Sequence, residues 1–427
     1  MYWLKDFYIL DPGEGAFDFF KGSLLIKEGL IDKVWKQGEE PAVPAGDGLE
    51  IIDGKFRRLI FPGFIQVHTH LGWTLNQGAK GRTSRPAGYD GWAYEAALDR
   101  QQVGRAVIAA LKQLVGSGTT AVLDLGSVRQ QEVIFELMTR ARFRYTGGKM
   151  MPVDVPDLPD ALLETEDEAI KESLRLSRIF HQTGDHLVHF ALSPVLGRGA
   201  GSAFLAEVKN LSDDQDLIIH ARLPVSRHFS YLDKLGILNG NTVIARLTGL
   251  QESEKDILVD VGASMALSPG VQEKTSGALP PVAELLERGI KLGLGCGWMP
   301  APHSLSVFPD MRLIGCKTGL PDGSNGAVSA EDVLRLVSIR GAEIIKMGDR
   351  VGRIAGGLDA DLVILDMDTA ETAGFQENPC AAVVFLADAG NVAATMVRGR
   401  FLFKDGRYSE AIEALERGFS QYMRVLE

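Results

Sequence analysis

Residues 61–70 read Phe61-Pro62-Gly63-Phe64-Ile65-Gln66-Val67-His68-Thr69-His70, an apolar run that ends in two histidines one residue apart. On a β-strand, side chains two positions apart point to the same side, so both imidazoles face one way and can hold one metal ion. Active sites of β/α barrels lie at the carboxyl ends of the strands. The segment therefore predicts a metal-binding first barrel strand; the alternative is two partly exposed loop histidines.

Beyond Leu59, short apolar runs alternate with amphipathic segments, as in parallel strands joined by crossover helices. A helix is predicted from Leu98 to Val115, and another, capped by Ser329, is predicted to run to Met347. Strands are predicted at 120–125, 187–192, 217–221, 242–245, 264–267 and 291–294, with helices such as 281–288 between them. The pattern predicts an α/β fold with a (β/α)8 TIM barrel over residues 59–351.

The two ends of the chain have a β-like pattern instead. Before the barrel, a turn at Glu28-Gly29 separates apolar runs at 22–26 and 30–35. After it come runs at 360–365, 381–386 and 392–403, and then an amphipathic helix at 409–426. Because both ends are β-rich, we expect residues 1–58 and 352–427 to pair into one composite β-sandwich domain.

The composition excludes several classes of partner. With 45 basic and 56 acidic residues the net charge is −11, which disfavours nucleic acid and anionic membrane surfaces. The sequence has no apolar run of about 18 residues and no obvious export signal. Its cysteines, Cys296, Cys316 and Cys380, lack CxxC spacing, so a reducing cytoplasm is expected. The predicted partner is a small-molecule ligand, with a homodimer as the default assembly.

A third candidate metal ligand is His220, which ends the apolar run Leu217-Ile218-Ile219. This position again puts an imidazole at the carboxyl end of a strand, although a lone histidine there is also compatible with a purely structural role. The remaining histidines have no comparable placement, and surface roles are expected for them: His181, His186, His189, His228 and His303.

The stretch from Ile52-Asp53-Gly54 through His70 resembles the opening signature of the amidohydrolase superfamily, in the branch of adenosylhomocysteine, guanine and triazine deaminases or chlorohydrolases. Four further stretches resemble the same branch, so the resemblance covers nearly the whole chain: residues 116–120, 191–194, 235–238 and 356–363. It implies a metal-dependent, deaminase-type hydrolase of a carbon–nitrogen, non-peptide bond. The implied substrate is a small cyclic or amine-bearing compound such as a nucleobase.

The resemblance also assigns metal ligands. His68, His70 and His220 match three metal histidines of the branch, and Arg246 stands where the fourth is expected. The implied cofactor is one divalent metal ion, with zinc first and iron or manganese as alternatives. A site without metal is a further alternative, because a guanidinium about 4 Å from a divalent ion is repelled by roughly 8 kcal/mol at an effective dielectric of 20.

The acid–base residues of the branch are replaced as well. Gly297 stands at the position of the strand-eight aspartate, a metal ligand and base, and Leu223 at that of the proton-shuttling glutamate. Val195 takes the place of a substrate-contacting histidine. The catalytic residues of this chain are therefore unknown. Each general acid or base supplies about 10²- to 10⁴-fold in rate, so ordinary deamination is expected to be slowed by about 10⁴ or more.

Arg222 and Arg246 near the predicted barrel mouth could bind carboxylate or phosphate. Trp73 and Trp298 lie in predicted loops after strands and could stack on a planar ring, with core or lid packing as the alternative.

Two main hypotheses for the function follow from these residues. One is a divergent hydrolase, and the other is a catalytically silent barrel that binds an anionic small molecule or a partner subunit. Elimination or isomerisation is a third hypothesis. Buried packing is expected for Cys296.

Overall fold

The computed structural model describes residues 1–13, 15–41, 48–75, 91–196, 200–223, 229–245, 247, 249–297, 304–317 and 327–426. Within these ranges no helix is long and apolar enough to cross a membrane. The strands are β1 (Tyr2–Asp11), β2 (Asp18–Lys27), β3 (Leu30–Lys36), β4 (Glu50–Asp53), β5 (Arg58–Pro62), β6 (Phe64–Thr69), β7 (Thr119–Asp124), β8 (Arg144–Gly147), β9 (Met150–Val153), β10 (Val188–Phe190), β11 (Ser193–Leu196), β12 (Ile219–Arg222), β13 (Thr242–Ala245), β14 (Ser264–Leu267), β15 (Lys291–Leu294), β16 (Leu362–Asp366), β17 (Val392–Val397), β18 (Arg400–Lys404) and β19 (Arg407–Tyr408).

Helices connect these strands. The α-helices are Trp92–Ala97, Arg100–Gly116, Gln131–Ala141, Glu166–Phe180, Ser202–Gln215, Phe229–Lys234, Glu252–Val261, Pro269–Ser276, Val282–Glu287, Phe308–Lys317, Ala330–Leu336, Ile339–Ile344, Pro379–Ala381 and Glu410–Leu426. Shorter helical turns are Leu71–Trp73, Asp160–Leu162, Ala382–Leu386 and Ala389–Asn391. The longest central helix, Arg100–Gly116, begins with a capping box in which Asp99 accepts a hydrogen bond from the backbone N–H of Gln102.

Two parallel sheets form the middle of the chain. One has four strands in the order β10-β8-β7-β6, and the other has six in the order β15-β14-β13-β12-β11-β9. An isolated parallel bridge joins Thr69, at the end of β6, to Gly297, just beyond β15, so the two sheets contact each other at the edges formed by these strands. The carboxyl ends of β6 and β12 consequently face the same region, which places the candidate histidines together.

The chain ends share a third sheet. Its nine strands run β19-β18-β17-β16-β5-β1-β2-β3, with β4 paired to β1. The central pair is antiparallel, with Leu362 of β16 opposite Pro62 of β5. Only Gly63 separates β5 from β6, and a Cβ there would lie 2.1 Å from Cγ2 of Thr120, so the chain passes closely between the sheets at a residue without a side chain.

Several predicted elements occur as expected and two do not. The predicted bounds of β13, β14 and β15 match the structure, and Ser329 accepts the capping hydrogen bond from the N–H of Asp332. The helix predicted to run to Met347 is wrong, because it breaks after Leu336 where the carbonyl of Val337 accepts a hydrogen bond from Ile65 of β6.

The second difference concerns residues 381–386, which are helical and not β-like. Asn378 caps this segment through the N–H of Ala381, and Pro379 occupies its first helical position. A short apolar run does not distinguish a buried strand from a buried helix by periodicity, and here the cap at Asn378 was the deciding signal.

Candidate active site

Three histidines meet at the carboxyl ends of β6 and β12. His68, His70 and His220 are all buried, with at most 3% of each residue exposed. The ring of His68 lies 5.0 Å from that of His70 and 5.0 Å from that of His220, centroid to centroid. Nδ1 of His68 and Nε2 of His220 are 3.0 Å apart and share a hydrogen bond. The structure thus brings together the three residues that the sequence singled out.

His220 is held in its neutral form. Burial lowers its pKa to about 3, and the nearby backbone of Asp124 acts in the opposite direction without restoring the usual value. A neutral imidazole presents one lone pair, which is the form that binds metals or accepts a proton. At neutral pH the ring of His220 therefore carries no charge.

Trp73 supports His70 from the neighbouring turn. Its indole ring stacks on the His70 imidazole at 4.7 Å and is 1% exposed. The indole Nε1 donates to the buried carboxylate of Glu95, which also accepts hydrogen bonds from Ser127 Oγ at 2.5 Å and the N–H of Val128 at 2.8 Å. Burial raises the pKa of Glu95, and these hydrogen bonds oppose the rise. Trp73 therefore holds the His70 ring in position by stacking on it. A direct contact between Trp73 and a substrate stays a prediction.

Arg222 follows His220 by two residues and is half-buried at the end of β12. Its guanidinium carbon lies 6.0 Å from the centre of the Trp92 ring, within cation–π range. Trp92 in turn meets Trp73 edge to face at 6.1 Å. A chain of contacts thus connects Arg222 with the histidine cluster, and its role in binding a ligand stays a prediction.

Sequence reasoning missed Asp124, the last residue of β7. Its buried carboxylate accepts hydrogen bonds from Thr69 Oγ1 and the N–H of Leu71, both at 2.9 Å, and from the Tyr145 hydroxyl at 3.1 Å. Burial raises its pKa to about 6 against the effect of these donors. Because Thr69 lies between His68 and His70, Asp124 fixes the end of β6 next to both histidines. Its place after an apolar strand was the signal that could have revealed it.

Gly297 closes the other side of the cluster. Its N–H donates to the carbonyl of His68 at 2.9 Å, and its φ of +62° is a left-handed conformation that favours glycine. A Cβ at this position would lie 2.8 Å from Oγ of Ser268 and 3.3 Å from Cγ2 of Val271. The space next to the histidines where a side chain at position 297 would begin is therefore already filled.

These side chains do not form a complete metal centre. Neutral imidazoles suit a divalent cation, but among the described residues no group of three or more His, Cys, Asp or Glu side chains is arranged to hold one. A hydrogen bond joins Nδ1 of His68 to Nε2 of His220, and the space beside Gly297 is taken by Ser268.

Other predicted positions have no acid–base capacity or lie outside the described residues. Leu223 is half-buried just after β12, and Val195 is buried within β11, so neither the glutamate nor the histidine of the branch has a titratable replacement at its own position. The site candidates outside the described residues are Arg246 and Trp298, and two histidines with expected surface roles, His228 and His303, lie outside them as well.

Cys296 packs in the interior, as expected. It is 6% exposed, its Sγ donates to the carbonyl of Ser306 at 3.3 Å, and burial raises its pKa well above the usual value. Beside it, Asp310 accepts a hydrogen bond from the N–H of Gly270 at 2.7 Å. Burial raises the pKa of Asp310 to about 6, and the hydrogen bond from Gly270 and the contact with the Cys296 thiol counteract only part of that rise.

Asp310→Asn is expected to make the protein less sensitive to pH. The folded-state pKa of about 6 exceeds the usual 3.8, so the stabilising effect of the protonated form is complete below about pH 4 and is lost as pH rises through 6. Relative to the variant, the natural protein should lose roughly 3 kcal/mol of unfolding free energy between pH 4 and 8. Urea unfolding at both pH values measures this, with exposed Asp214→Asn as control. A pH-independent difference would contradict it.

Comparisons with known proteins point in one direction. The sequence model of the Amidohydrolase family matches residues 59–402. The chain is 27% identical to the 5′-deoxyadenosine deaminase of Methanothermobacter thermautotrophicus, over 96% of this chain and 94% of that protein. It is also 27% identical to the 5-methylthioadenosine/S-adenosylhomocysteine deaminase of Haloarcula marismortui, over 86% and 85%. A zinc-bound adenosine deaminase from Xanthomonas campestris shares the fold, with a TM-score of 0.83 at 20% identity and 99% and 98% coverage.

Proposed function

Because this chain belongs to the amidohydrolase family, we propose that it is a divergent deaminase-type hydrolase. The bond it acts on is a carbon–nitrogen bond, other than a peptide bond, of a small amine-bearing ring compound of the nucleoside or nucleobase kind. The observation that carries this proposal is the buried cluster of His68, His70 and His220 at two strand ends. The relatives named as deaminases match the chain almost end to end and support the substrate class.

For the fold we propose a barrel with a composite β-sandwich domain. The two parallel sheets, which a bridge between Thr69 and Gly297 joins at the edges formed by β6 and β15, support a (β/α)8 barrel over residues 59–351. The antiparallel pairing of β5 with β16 supports a composite β-sandwich built from residues 1–58 and 352–427. In a barrel of this kind the histidines lie at the carboxyl-terminal mouth, where substrates bind.

The chain's own side chains can bind a ring compound and pass a proton. Arg222 supplies a cation beside the mouth, and the hydrogen-bonded pair of His68 and His220 can move one proton between Nδ1 and Nε2. Neither Leu223 nor Gly297 can take a proton from an attacking water. Loss of two acid–base groups, each supplying about 10²- to 10⁴-fold, makes slow turnover the expected behaviour.

A divalent metal is the cofactor to which the zinc-bound relative points. For this chain we propose zinc first, with iron or manganese as alternatives, and His68, His70 and His220 as the residues to test. Protein without metal is the alternative outcome, because Arg246 stands where the fourth metal histidine of the branch is expected. Elemental mass spectrometry of protein purified without chelator separates these cases directly.

His68→Ala is expected to abolish any release of ammonia from 5′-deoxyadenosine, adenosine or guanine, because it removes the ring that contacts both other histidines. A coupled ammonia assay over long incubation measures the loss. His186→Asn is the matched control, since His186 is exposed, lies outside the cluster and has a φ of +61° that asparagine tolerates. Equal release by the natural protein and His68→Ala would contradict the assignment of the reaction to this cluster.

The second candidate function is a silent barrel that binds an anionic small molecule or a partner subunit at the same mouth. The occupied space beside Gly297 favours it, because a side chain at that position would collide with Ser268. It predicts no metal and no ammonia, together with ligand binding that weakens in Arg222→Gln. Absence of turnover with retained nucleoside binding would therefore support this function over the hydrolase.

A further inference from the structure

A cleft of about 370 Å³ opens at the amino-terminal end of β15, at the opposite end of the parallel strands from the histidine cluster. Apolar side chains form part of its wall, and three cationic residues line it with a single carboxylate. The lining side chains are Leu286, Ile290, Ile339, Lys291, Arg335, Arg340 and Glu343. The excess of basic residues is unusual in a chain of net charge −11.

Arg340 is the unexplained residue of this cleft. It is half-buried, and among the described residues its guanidinium makes neither a hydrogen bond nor an ion pair. Burial lowers its pKa, and the nearby charge of Arg335 acts in the same direction, while Asp332 and Glu343 act against it. An arginine withdrawn from water without a partner is costly, so its presence beside an open cleft indicates an anion that completes its contacts.

The other two cations have different surroundings. Arg335 is fixed in place by a 3.3 Å ion pair with Asp332, a 3.0 Å hydrogen bond to the carbonyl of Gly15 and packing over the ring of Phe17. Lys291 is exposed, and in the described part of the chain it forms no ion pair or hydrogen bond. Arg335 thus adds a fixed positive charge, and Lys291 remains available to a ligand.

We propose that this cleft binds a small phosphate- or carboxylate-bearing anion held by Arg340 and Lys291. A guanidinium pairs with either oxyanion through two parallel hydrogen bonds, and a lysine contributes a movable point charge. The cleft volume suits a small molecule, and the apolar wall strengthens the electrostatic attraction. This inference does not depend on the proposed hydrolase function, because the two sites lie at opposite strand ends.

Titration calorimetry with inorganic phosphate, and separately with succinate, tests the site at constant ionic strength. The natural protein is expected to bind one anion per chain. Arg340→Gln and Lys291→Gln should each weaken binding by about tenfold or more, the typical effect of losing a charge-assisted hydrogen bond. Arg178→Gln is the matched control, because Arg178 is an exposed helical arginine that forms no ion pair or hydrogen bond in the described residues.

The two probes distinguish the sources of the anion. Tighter binding of phosphate supports a phosphorylated ligand, and tighter binding of succinate supports a carboxylate ligand. Either result counts only if the Arg340→Gln variant binds the same probe more weakly. Equal affinity of Arg340→Gln and the natural protein, or no binding of either probe, would overturn the proposal. Binding lost in His68→Ala would place the anion at the histidine cluster and overturn it as well. Circular dichroism confirms that each variant is folded.

Discussion

The combined variant Leu223→Glu, Arg246→His and Gly297→Asp is expected to release ammonia from adenine nucleosides at least about 10⁴-fold faster than the natural protein. The resemblance to the deaminase branch assigns a proton-shuttling glutamate, a metal histidine and a metal-binding base to these three positions. Two restored acid–base groups account for the magnitude, because each typically supplies about 10²- to 10⁴-fold. Ammonia release and metal content of the same preparation are the two measurements.

The structure identifies the obstacle to this restoration. A Cβ at position 297 would lie 2.8 Å from Oγ of Ser268, so the serine side chain has to shift, and Ser268→Gly beside the aspartate removes this contact. The φ of +62° adds strain, although aspartate tolerates this region better than most residues. We therefore expect the variant with Ser268→Gly to be more active than the variant without it.

A matched control replaces the same positions by the nearest amides, Leu223→Gln and Gly297→Asn, with Arg246→His and Ser268→Gly retained. The shapes are nearly unchanged, but neither amide accepts a proton at neutral pH, so the gain in rate should disappear. A folded, metal-loaded variant with both carboxylates that still releases no ammonia would contradict the deaminase reading. It would favour the silent barrel.

The sequence predicted the parts of the site that depend on strand ends. His68, His70 and His220 each follow a short apolar run, and in parallel sheets the carboxyl ends of strands lie on one side. The contact between His68 and His220 therefore followed from local pattern plus topology. The bounds of β13, β14 and β15 followed from the same alternation of apolar runs and turns.

The parts that sequence could not predict depend on distant residues. The helix after Ser329 breaks because the N–H of Ile65 donates a hydrogen bond to the carbonyl of Val337. The sequence around position 337 contains no signal that predicts this partner. Likewise the space beside Gly297 is filled by Ser268, which follows the neighbouring strand β14 and is distant in sequence from Gly297. The sequence shows that glycine replaces aspartate at position 297. Which side chain fills the space that the aspartate would occupy depends on the packing of distant segments and cannot be predicted from the sequence.

Arg144 is the clearest contact of this long-range kind. It begins β8 and is 0% exposed, and its guanidinium forms hydrogen bonds to Asp361 at 2.7 and 3.1 Å and to Asp359 at 2.8 Å. Burial alone would lower the pKa of Arg144, but the two aspartates more than offset this and raise it. Arg350 also contacts Asp359 at 2.8 Å, and the N–H of Arg398 donates to Asp361. The arginine thus joins a parallel sheet to the segment that leads into β16.

Arg144→Met is expected to lower the free energy of unfolding by about 3–5 kcal/mol. Methionine fills similar space, but two buried carboxylates lose their common cation, and an uncompensated buried charge is strongly destabilising. Arg350 and the N–H of Arg398 offset only part of this, because each contacts just one of the aspartates. Equilibrium urea unfolding, followed by fluorescence, measures the change.

Two further variants separate charge from packing. Arg175→Met removes an exposed arginine that pairs with Glu132 and Glu172, and surface pairs are worth at most about 1 kcal/mol, so its effect should be small. Adding Asp359→Asn and Asp361→Asn to Arg144→Met removes the orphaned charges and should recover much of the lost stability. If the triple variant were no more stable than Arg144→Met, lost packing around β8 would be the cause. The buried ion network would then not be what connects the two sheets.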